Sequence, residues 1–434
     1  MRFSSYQLKW NLPGRYANYR CSFSTKLPSL QRKLICYTFT MTCSRRKFLA
    51  AGTFSLGVII FGGVHSFMRR RRSIFNQNDA ILLSPSVISE FGDKSSLSWV
   101  ELNSMKVTSI PLPIRVAHSC TGNLFDRDKI YVFDTGEEAC EVSLSRKSST
   151  RSFKPIDNGT FGGHGEVSKS GILYCSERDR NGRGFIVGRN LETLEVIFSF
   201  PSAGYHCHEI RLMEDLGLIA IANEGLGHSA HKQDQYSNFS LIDIKSGKVH
   251  SQYAMDSGKR EQRHMVVSNS GRVVLAVKRK VPRSNYEKTK AQVFLEKGER
   301  RALKLFKAET TQYMAEPLYF TDTSLTEPQP GLAPQEIVDR MINTNSIALN
   351  ERAQILGASH TQGGMISFWN LKNRELISHY AVNDTPRGIT YSEESNAFFF
   401  QTMNNNVYRV DSPTLPPKQL DGVKIHGYAH IMMW

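Results

Sequence analysis

The chain has 434 residues, of which 40% are hydrophobic and 10% aromatic, so it can bury a sizeable core and is not a disordered protein. Its formal charge of +15 suggests a nucleic-acid or membrane partner, but the excess is concentrated at the N-terminus. Residues 1–72 contain fourteen basic and no acidic side chains, and residues 278–308 form one basic patch in an otherwise mildly acidic remainder. Because no aromatic-interleaved basic motif accompanies that patch, nucleic acid is set aside as a partner.

The acid-free N-terminus has the features of a sorting signal. Residues 44–49 read SRRKFL, and a weakly apolar stretch over residues 48–64 follows, which resembles a twin-arginine (Tat) export signal with Arg45 and Arg46 as its recognised pair. The stretch is slightly short for a transmembrane helix, which needs roughly 20 residues. We therefore assign residues 41–72 to a cleaved signal or an uncleaved membrane anchor and expect a periplasmic location, with an organelle transit peptide as the alternative. Residues 1–40 are not expected in the mature protein, and Met41 is a second candidate start.

Four cysteines remain after this N-terminal region, namely Cys120, Cys140, Cys175 and Cys207. None of them forms a CxxC pair or a pair with zinc-ligand spacing. Since a Tat substrate folds in a reducing cytosol, these side chains are predicted to be small buried hydrophobic groups.

From residue 80 onward, short apolar runs alternate with turn residues and show almost no helical periodicity. Examples in chain order are KIYVFD (129–134), GILYCSE (171–177), LGLIAIAN (216–223), FSLIDI (239–244), RVVLAVK (272–278), MISFWNL (365–371) and NAFFFQT (396–402). This pattern predicts an all-β sandwich, barrel or propeller. A repeat of fixed length distinguishes among the three.

Such a repeat emerges when the segments are aligned on a polar position just before a strand. His118, His164, His208 and His264 hold this position at spacings of 46, 44 and 56 residues, and the outline returns around Asn345 and Arg387. Each unit reads as about four strands, which is the size of a propeller blade. The long interval before Asn345 is assigned to a basic insertion at about 280–340, which ends in a Pro-rich stretch and a short helix near Gln335.

The two chain ends supply the missing strands of one further blade. The C-terminal HGYAHIMMW has the pattern of an innermost strand with nothing after it, and residues 80–110 have the pattern of outer strands with no innermost strand before them. We therefore predict that residues 73–434 form a single seven-bladed β-propeller, closed by pairing N- and C-terminal strands in one blade. Two β-sandwich domains are the alternative, and they do not explain the complementary ends.

The same segments resemble a known family. The signal SRRKFL, then GHGEVSKSG, HEIRL, IANEG, RHMVVS, NSIALN and QGGMISFW in this order, is similar to the domain of unknown function family numbered 1513. The resemblance implies a Tat-exported bacterial protein with a seven-bladed WD-repeat or YVTN-like propeller, encoded near periplasmic iron-acquisition proteins, and it brings no established activity. The chain departs from the family pattern at Glu224, where a second glycine is usual, and in the 280–340 insertion.

The repeated histidines are the strongest candidates for chemistry. Innermost strands line the channel of a propeller, so His118, His164, His208 and His264 are predicted to converge there, with His430 as a fifth candidate. Converging imidazoles can bind Cu, Zn or Fe, whereas the structural alternative is that each ring only hydrogen-bonds the neighbouring blade. Other channel or ligand-binding candidates are Glu209, Asn223, Glu224, Arg263 and Arg387. His228 and His231 fall in a loop and are predicted to be solvated.

Two functional hypotheses follow. The chain has no GxSxG, P-loop, HExxH or strand-following GxGxxG motif, so no catalytic residue is assigned. The first hypothesis is a non-enzymatic periplasmic binding propeller whose partner is a protein or a small ligand and whose only membrane contact is the N-terminal signal. The alternative is a metal-binding or redox propeller that uses the channel histidines.

Overall fold

The computed structural model describes residues 80–87, 94–226, 232–255, 260–280, 313–427 and 430–434. The predicted signal with Arg45 and Arg46, the start candidates and the pair His228 and His231 lie outside these residues. Within the described ranges the chain forms seven antiparallel sheets, which we call blades 1 to 7. No helix in those ranges is long and apolar enough to cross a membrane.

The strands are numbered in chain order, and each blade except blade 1 uses consecutive strands. Blade 1 contains β1 (Ile81–Ser86), β2 (Ser96–Glu101), β3 (Lys106–Pro111) and β29 (Met432–Met433). Blade 2 contains β4 (Ala117–Gly122), β5 (Lys129–Asp134), β6 (Ala139–Ser143) and β7 (Ser148–Phe153). Blade 3 contains β8 (Thr160–Val167), β9 (Ile172–Arg178), β10 (Arg183–Asn190) and β11 (Val196–Tyr205). Blade 4 contains β12 (Cys207–Met213), β13 (Leu218–Asn223), β14 (Asn238–Asp243) and β15 (Val249–Ala254).

The remaining blades follow the same plan, with one additional short strand in blade 5. Blade 5 contains β16 (Arg260–Val267), β17 (Arg272–Lys280), β18 (Tyr313–Met314), β19 (Leu318–Asp322) and β20 (Gln329–Pro330). Blade 6 contains β21 (Thr344–Asn350), β22 (Ile355–His360), β23 (Met365–Asn370) and β24 (Leu376–Ala381). Blade 7 contains β25 (Pro386–Ser392), β26 (Ala397–Thr402), β27 (Asn406–Val410) and β28 (Lys418–Lys424). Short helical turns cover Ile156–Asn158, Glu214–Leu216, Gln233–Gln235 and Gln335–Val338.

The ring closes in blade 1, as the sequence predicted. The C-terminal strand β29 pairs antiparallel with β1. The amide of Ile81 donates to the Trp434 carbonyl at 2.7 Å, and the amide of Trp434 donates to the Ile81 carbonyl at 2.8 Å. The fold is therefore an all-β, seven-bladed propeller in which strands from both ends of the described chain complete one sheet.

The hydrophobic core lies between the blades. Seven clusters of buried side chains each join two neighbouring blades of the ring. One of them, which contains Leu82 and Phe399, joins blade 7 to blade 1. Trp99 and Trp369 are almost fully buried in two of these clusters and pack between blades. Since each blade buries apolar surface on both faces, no blade forms a complete core by itself.

The predicted insertion at 280–340 differs in part from the structure. Residues 313–330 contribute strands β18 to β20 to blade 5, and the short helix Gln335–Val338 lies near the predicted position. The sequence did not reveal the blade's third strand, Leu318–Asp322, because it follows a long basic segment and its outer partner β20 contains a proline and pairs over only two residues.

His360 in blade 6 is a buried histidine with a structural role. Its Nδ1 lies 2.9 Å from Thr344 Oγ1, and its Nε2 lies 2.7 Å from Ser367 Oγ, which also accepts a hydrogen bond from Trp369 Nε1. Burial lowers the pKa of His360 from 6.5 to about 3. The ring is therefore neutral in the folded state at neutral pH.

This shift predicts acid sensitivity that a variant can isolate. Below pH ~6.5 the unfolded chain protonates this histidine while the folded chain does not, so stability falls as the pH drops toward 3. Between pH 7.5 and 5.0, wild-type protein should lose about 2 kcal/mol of unfolding free energy more than His360→Gln, measured by urea unfolding. Equal losses in the two proteins would show that His360 titrates normally.

Candidate metal centre

The innermost strands of six blades carry a β-bulge near their beginning. In blades 2 to 7 the register of the innermost strand shifts against its neighbour within the first few residues, which releases one to three residues from regular pairing. We call these residues the bulge belt. They are His118, Gly162, Gly163, His164, His208, Glu209, Arg263, Asn345, Arg387 and Gly388. A bulge redirects the side chains at its position, so these residues do not follow the regular alternation of side chains along their strands.

Five histidines meet at the level of this belt. His118, His164 and His208 come from blades 2, 3 and 4, His264 follows the bulge of blade 5, and His430 precedes β29. Neighbouring rings among the five have centroids 4.7–6.0 Å apart, mostly in edge-to-face arrangements. The structure thus brings together the four histidines proposed as metal ligands and the fifth candidate.

The tightest group of ligand nitrogens has a different composition from the sequence-based set. One ring nitrogen from each of His118, His164, His208 and His430 lies within 4.8 Å of every other. His264 lies beside this group, with its Nδ1 3.2 Å from Glu209 Oε2. His430 therefore takes the position that the sequence assigned to His264.

Hydrogen bonds fix the tautomers of two of these rings. Nδ1 of His208 lies 2.8 Å from the Gly162 carbonyl, which can only accept, so the ring donates there and Nε2 carries a lone pair. Nδ1 of His264 faces the Glu209 carboxylate in the same way. A carboxylate or carbonyl behind an imidazole is the usual outer-shell arrangement of histidine metal ligands, because it orients the ring and raises its basicity.

Among the residues that the structure describes, three of the clustered histidines have a ring nitrogen without a hydrogen-bond partner. In the described part of the chain, Nε2 of His164, His208 and His430 is buried and has no hydrogen-bond partner. A buried polar atom without a partner costs about 1–3 kcal/mol, and several such atoms around one point are uncommon in a native protein. A metal ion bound at that point would satisfy all of them.

Burial also keeps these rings uncharged. It holds the pKa of His164, His208 and His264 well below the usual range, and neighbouring histidines lower those values further. The pKa of His430 falls to about 3, first from burial and then from the nearby Lys278. Neutral imidazole is the form that binds metal, so no proton has to be displaced near neutral pH.

The donor set fits an imidazole-binding ion. Around a tetrahedral ion at about 2.0–2.1 Å, ligand nitrogens lie about 3.4 Å apart, so four imidazoles within 4.8 Å need to move inward by less than about 1 Å each. The cysteines do not contribute. All four described cysteines are buried free thiols, as predicted, and burial raises the pKa of Cys120 and Cys207 to about 12.

A cavity leads to the histidines from one end of the channel. It has a volume of about 590 Å³ and is lined by the innermost strands of all seven blades. His164, His264, His430 and Glu209 line its inner part, and Lys169 and Asp215, which are both about two-thirds exposed, lie at its mouth. Arg211 also lines the cavity, donates to Glu209 Oε1 at 2.5 Å and has a side chain that is 41% exposed.

Acidic and basic groups flank the histidines in different ways. Burial is the main reason that the pKa of Glu166, on the cavity wall, rises to about 6. Away from the cavity wall, Arg263 forms an ion pair with Glu224 at 3.0 Å. The Oε1 atom of Glu224 also lies 3.4 Å from His208 Nδ1. Burial, followed by the nearby Arg263, holds the pKa of Lys278 well below its usual range.

The remaining candidates from the sequence have distinct positions. Asn223 is fully buried and hydrogen-bonds Ser202 and Asn238, so it joins strands within and between blades. Arg387 is buried in the belt of blade 7. Sequence reasoning missed Lys278 and Asn345 as site residues, although a lysine that ends the apolar run RVVLAVK is a detectable signal.

Gly163 makes room for one of the imidazoles. Its φ is +101°, and a Cβ placed there would lie 2.6 Å from His118 Cδ2. Gly163→Ala is therefore expected to displace the His118 ring and weaken metal binding at least tenfold, in addition to about 1 kcal/mol of backbone strain. Metal affinity and thermal unfolding measure the two effects separately.

Gly217→Ala is the matched control for this prediction. Gly217 also has a positive φ, +67°, but a Cβ there would have no atom within 4 Å. This variant should lose stability and keep its metal affinity. If both variants bind metal like the wild type, the position of the His118 ring is not important for binding.

Fold and site together define the class of protein as a seven-bladed β-propeller with a histidine cluster in its central channel. Residues 133–429 match the family described as protein of unknown function (DUF1513), and the chain belongs to this family. No curated protein matches the chain.

Three solved structures similar to the chain share the fold at low sequence identity. A hypothetical selenium-binding protein from Sulfolobus tokodaii has a TM-score of 0.57 and 8% identity, covering 83% of this chain and 93% of its own. A protein from Lactobacillus plantarum has a TM-score of 0.55 and 11% identity, covering 82% of this chain and 99% of its own. The Cps50 (Swd1) β-propeller domain of Myceliophteria thermophila has a TM-score of 0.51 and 9% identity, covering 79% of this chain and 99% of its own. At these identities the likeness supports the propeller fold alone.

Proposed function

We propose that this protein is an exported binding propeller whose ligand is a transition-metal ion, held in the central channel by His118, His164, His208 and His430. The observation that carries the proposal is the group of four ring nitrogens within 4.8 Å of one another. The buried, unpartnered Nε2 atoms of three of these rings add support. If these histidines had only a structural role, their buried Nε2 atoms would be expected to have hydrogen-bond partners.

The donor set also narrows the choice of metal. Four neutral imidazoles without thiolate favour Cu(II) and Zn(II), and among divalent ions Cu(II) binds such nitrogen sites most tightly. Iron stays among the candidates because the family resemblance implies a link to iron acquisition. The selenium-binding description of the Sulfolobus tokodaii protein belongs to that protein, and its low identity gives no ligand for this chain.

The test is the metal content of the wild-type protein. We expect about one equivalent of Cu or Zn in protein purified without chelator, measured by elemental analysis, and expect EDTA treatment to lower its thermal stability. Protein without stoichiometric metal, which also fails to bind added Cu(II) or Zn(II), would exclude the metal centre. That outcome would favour a propeller that binds a protein or an organic ligand.

Export is the second part of the proposal, supported by the SRRKFL segment and the apolar residues 48–64. Replacing Arg45 and Arg46 by Lys should retain the protein in the cytoplasm, because lysine does not reproduce the paired guanidinium groups. The same exchange at Arg70 and Arg71 is the control and should leave export unchanged. Cell fractionation measures both. An unchanged location of the first variant would favour a transit peptide.

A further inference from the structure

The bulge belt has two chemically different halves. Blades 2, 3 and 4 contribute imidazoles, whereas blades 5, 6 and 7 contribute Arg263, Asn345 and Arg387. Lys278, from the second strand of blade 5, reaches this second half, where its Nζ lies 3.2 Å from Asn345 Oδ1. We call Arg263, Lys278 and Arg387 the cationic half of the belt.

Lys278 is the most unusual member of this half. It is only 4% exposed, and the ring of Tyr313 lies 5.8 Å from its Nζ. An ammonium group has three donors, but in the part of the chain that the structure describes Lys278 has one hydrogen bond, to a neutral amide oxygen. Burial therefore favours the neutral amine of Lys278, and an anion beside Nζ would restore the charged form.

The carboxylates of Glu224 and Glu261 attract Lys278, but in the described residues neither forms an ion pair with it. Glu224 and Glu261 both lie against Arg263, at 3.0 Å and 3.6 Å. On the cavity side, Arg211 is paired with Glu209, and Glu166 is nearby. Neither carboxylate forms a hydrogen bond with Lys278 in the described part of the chain, and a divalent metal ion among the imidazoles would add two positive charges beside this half.

We propose that the cationic half of the belt binds a small oxyanion that occupies the side of the metal ion facing blades 5 to 7. This inference rests on the proposed metal centre. Guanidinium groups suit the planar oxygens of a carboxylate and those of a phosphate, and Lys278 supplies a point charge with free donors. Metal and anion compensate each other's charge, so each should tighten the binding of the other by the same factor.

The experiment uses Cu(II)-loaded protein with formate and phosphate as separate probes. Titration calorimetry gives the affinity, and the electron paramagnetic resonance spectrum of Cu(II) reports whether the anion reaches the metal. Lys278→Met and Arg387→Met each remove one cation and keep an unbranched side chain, and circular dichroism checks that each variant is folded. Lys418→Met is the control, since Lys418 is 70% exposed and forms an ion pair with Asp411 on the surface.

We expect at least one probe to bind wild-type protein and change the Cu(II) spectrum, and expect both cationic-half variants to weaken it at least tenfold. The Lys418 variant should match the wild type. Binding of formate alone identifies a carboxylate ligand, and binding of phosphate alone identifies a phosphate. Elemental analysis of the same samples separates the two proposals. If the protein has its full copper content but binds neither anion, or binds an anion with an affinity that neither variant lowers, this inference alone is overturned. If the protein holds no copper, the metal centre is overturned and this inference with it.

Discussion

Deletion of Ile431–Trp434 should destabilise the whole propeller rather than fray one end. These residues contain β29, which supplies the innermost strand of blade 1. The deletion leaves the candidate ligand His430 in the chain. Ile431 is buried in the cluster between blades 7 and 1. Trp434 packs directly over Gly122 of blade 2, and its Nε1 donates to the Arg127 carbonyl at 3.0 Å.

The expected loss is large compared with the total stability of a domain. Each large buried apolar side chain contributes about 1.5–3 kcal/mol, so the deletion removes roughly 5 kcal/mol before the exposed strand edge is counted. A domain has only about 5–15 kcal/mol in all. We expect Tm to fall by at least about 10 °C or the protein to become insoluble.

A surface variant provides the comparison for this deletion. Leu415 lies between β27 and β28 and is 47% exposed, so Leu415→Ser should change Tm by no more than about 1 °C. Thermal unfolding by circular dichroism measures both proteins. If the deleted protein melts cooperatively at the wild-type temperature, closure through β29 does not stabilise the ring.

The blade architecture was predictable because it repeats. Polar residues at the start of each innermost strand recur at spacings close to the length of a blade, and a local signal that occurs six times is stronger than any single copy. The incomplete patterns at residues 80–110 and at the C-terminus also complement each other. Blade 5 was harder to predict, because its third strand follows a long basic segment and its outermost strand is a two-residue pair that contains a proline.

The site was predictable only in part, because its ligands depend on bulges. A bulge changes which face a residue occupies without changing the composition of the strand, so the sequence could not decide between His264 and His430 for the tightest group. Glu209 follows His208 in the chain, yet the bulge brings its carboxylate to the ring of His264 in the next blade. Lys278 lies in a second strand, outside the positions that the repeat identifies.

The bulge belt carries different chemistry on the two sides of the channel. Six bulged strands of similar backbone carry imidazoles in the belt of blades 2 to 4 and Arg263, Asn345 and Arg387 in the belt of blades 5 to 7. The fold therefore supplies the convergence, and individual residues supply the chemistry. The cavity reaches the histidines from one end, and its lining does not include Lys278, Arg263 or Arg387. A metal ion at the centre would therefore lie between an open cavity and a buried cationic group.

Removal of two imidazoles is expected to abolish metal binding. His164 and His208 belong to adjacent blades, have ring centroids 4.7 Å apart and each present a buried Nε2 without a partner in the described structure. Loss of an outer-shell partner alone typically costs 10–100-fold in metal affinity, so loss of two direct ligands should cost more than about 10⁴-fold. The metal content of His164→Ala/His208→Ala should fall below a tenth of an equivalent.

A second buried histidine supplies the control for this experiment. His360 is fully buried and has a pKa of about 3, but it lies in blade 6 and hydrogen-bonds Thr344 and Ser367 instead of facing the channel. His360→Ala should therefore lose stability and still bind one equivalent of metal. The double variant should keep its β-sheet circular dichroism spectrum, because the inter-blade clusters do not contain His164 or His208. A double variant that binds metal like the wild type would exclude these ligands, and one that unfolds while His360→Ala stays folded would assign the channel histidines a structural role.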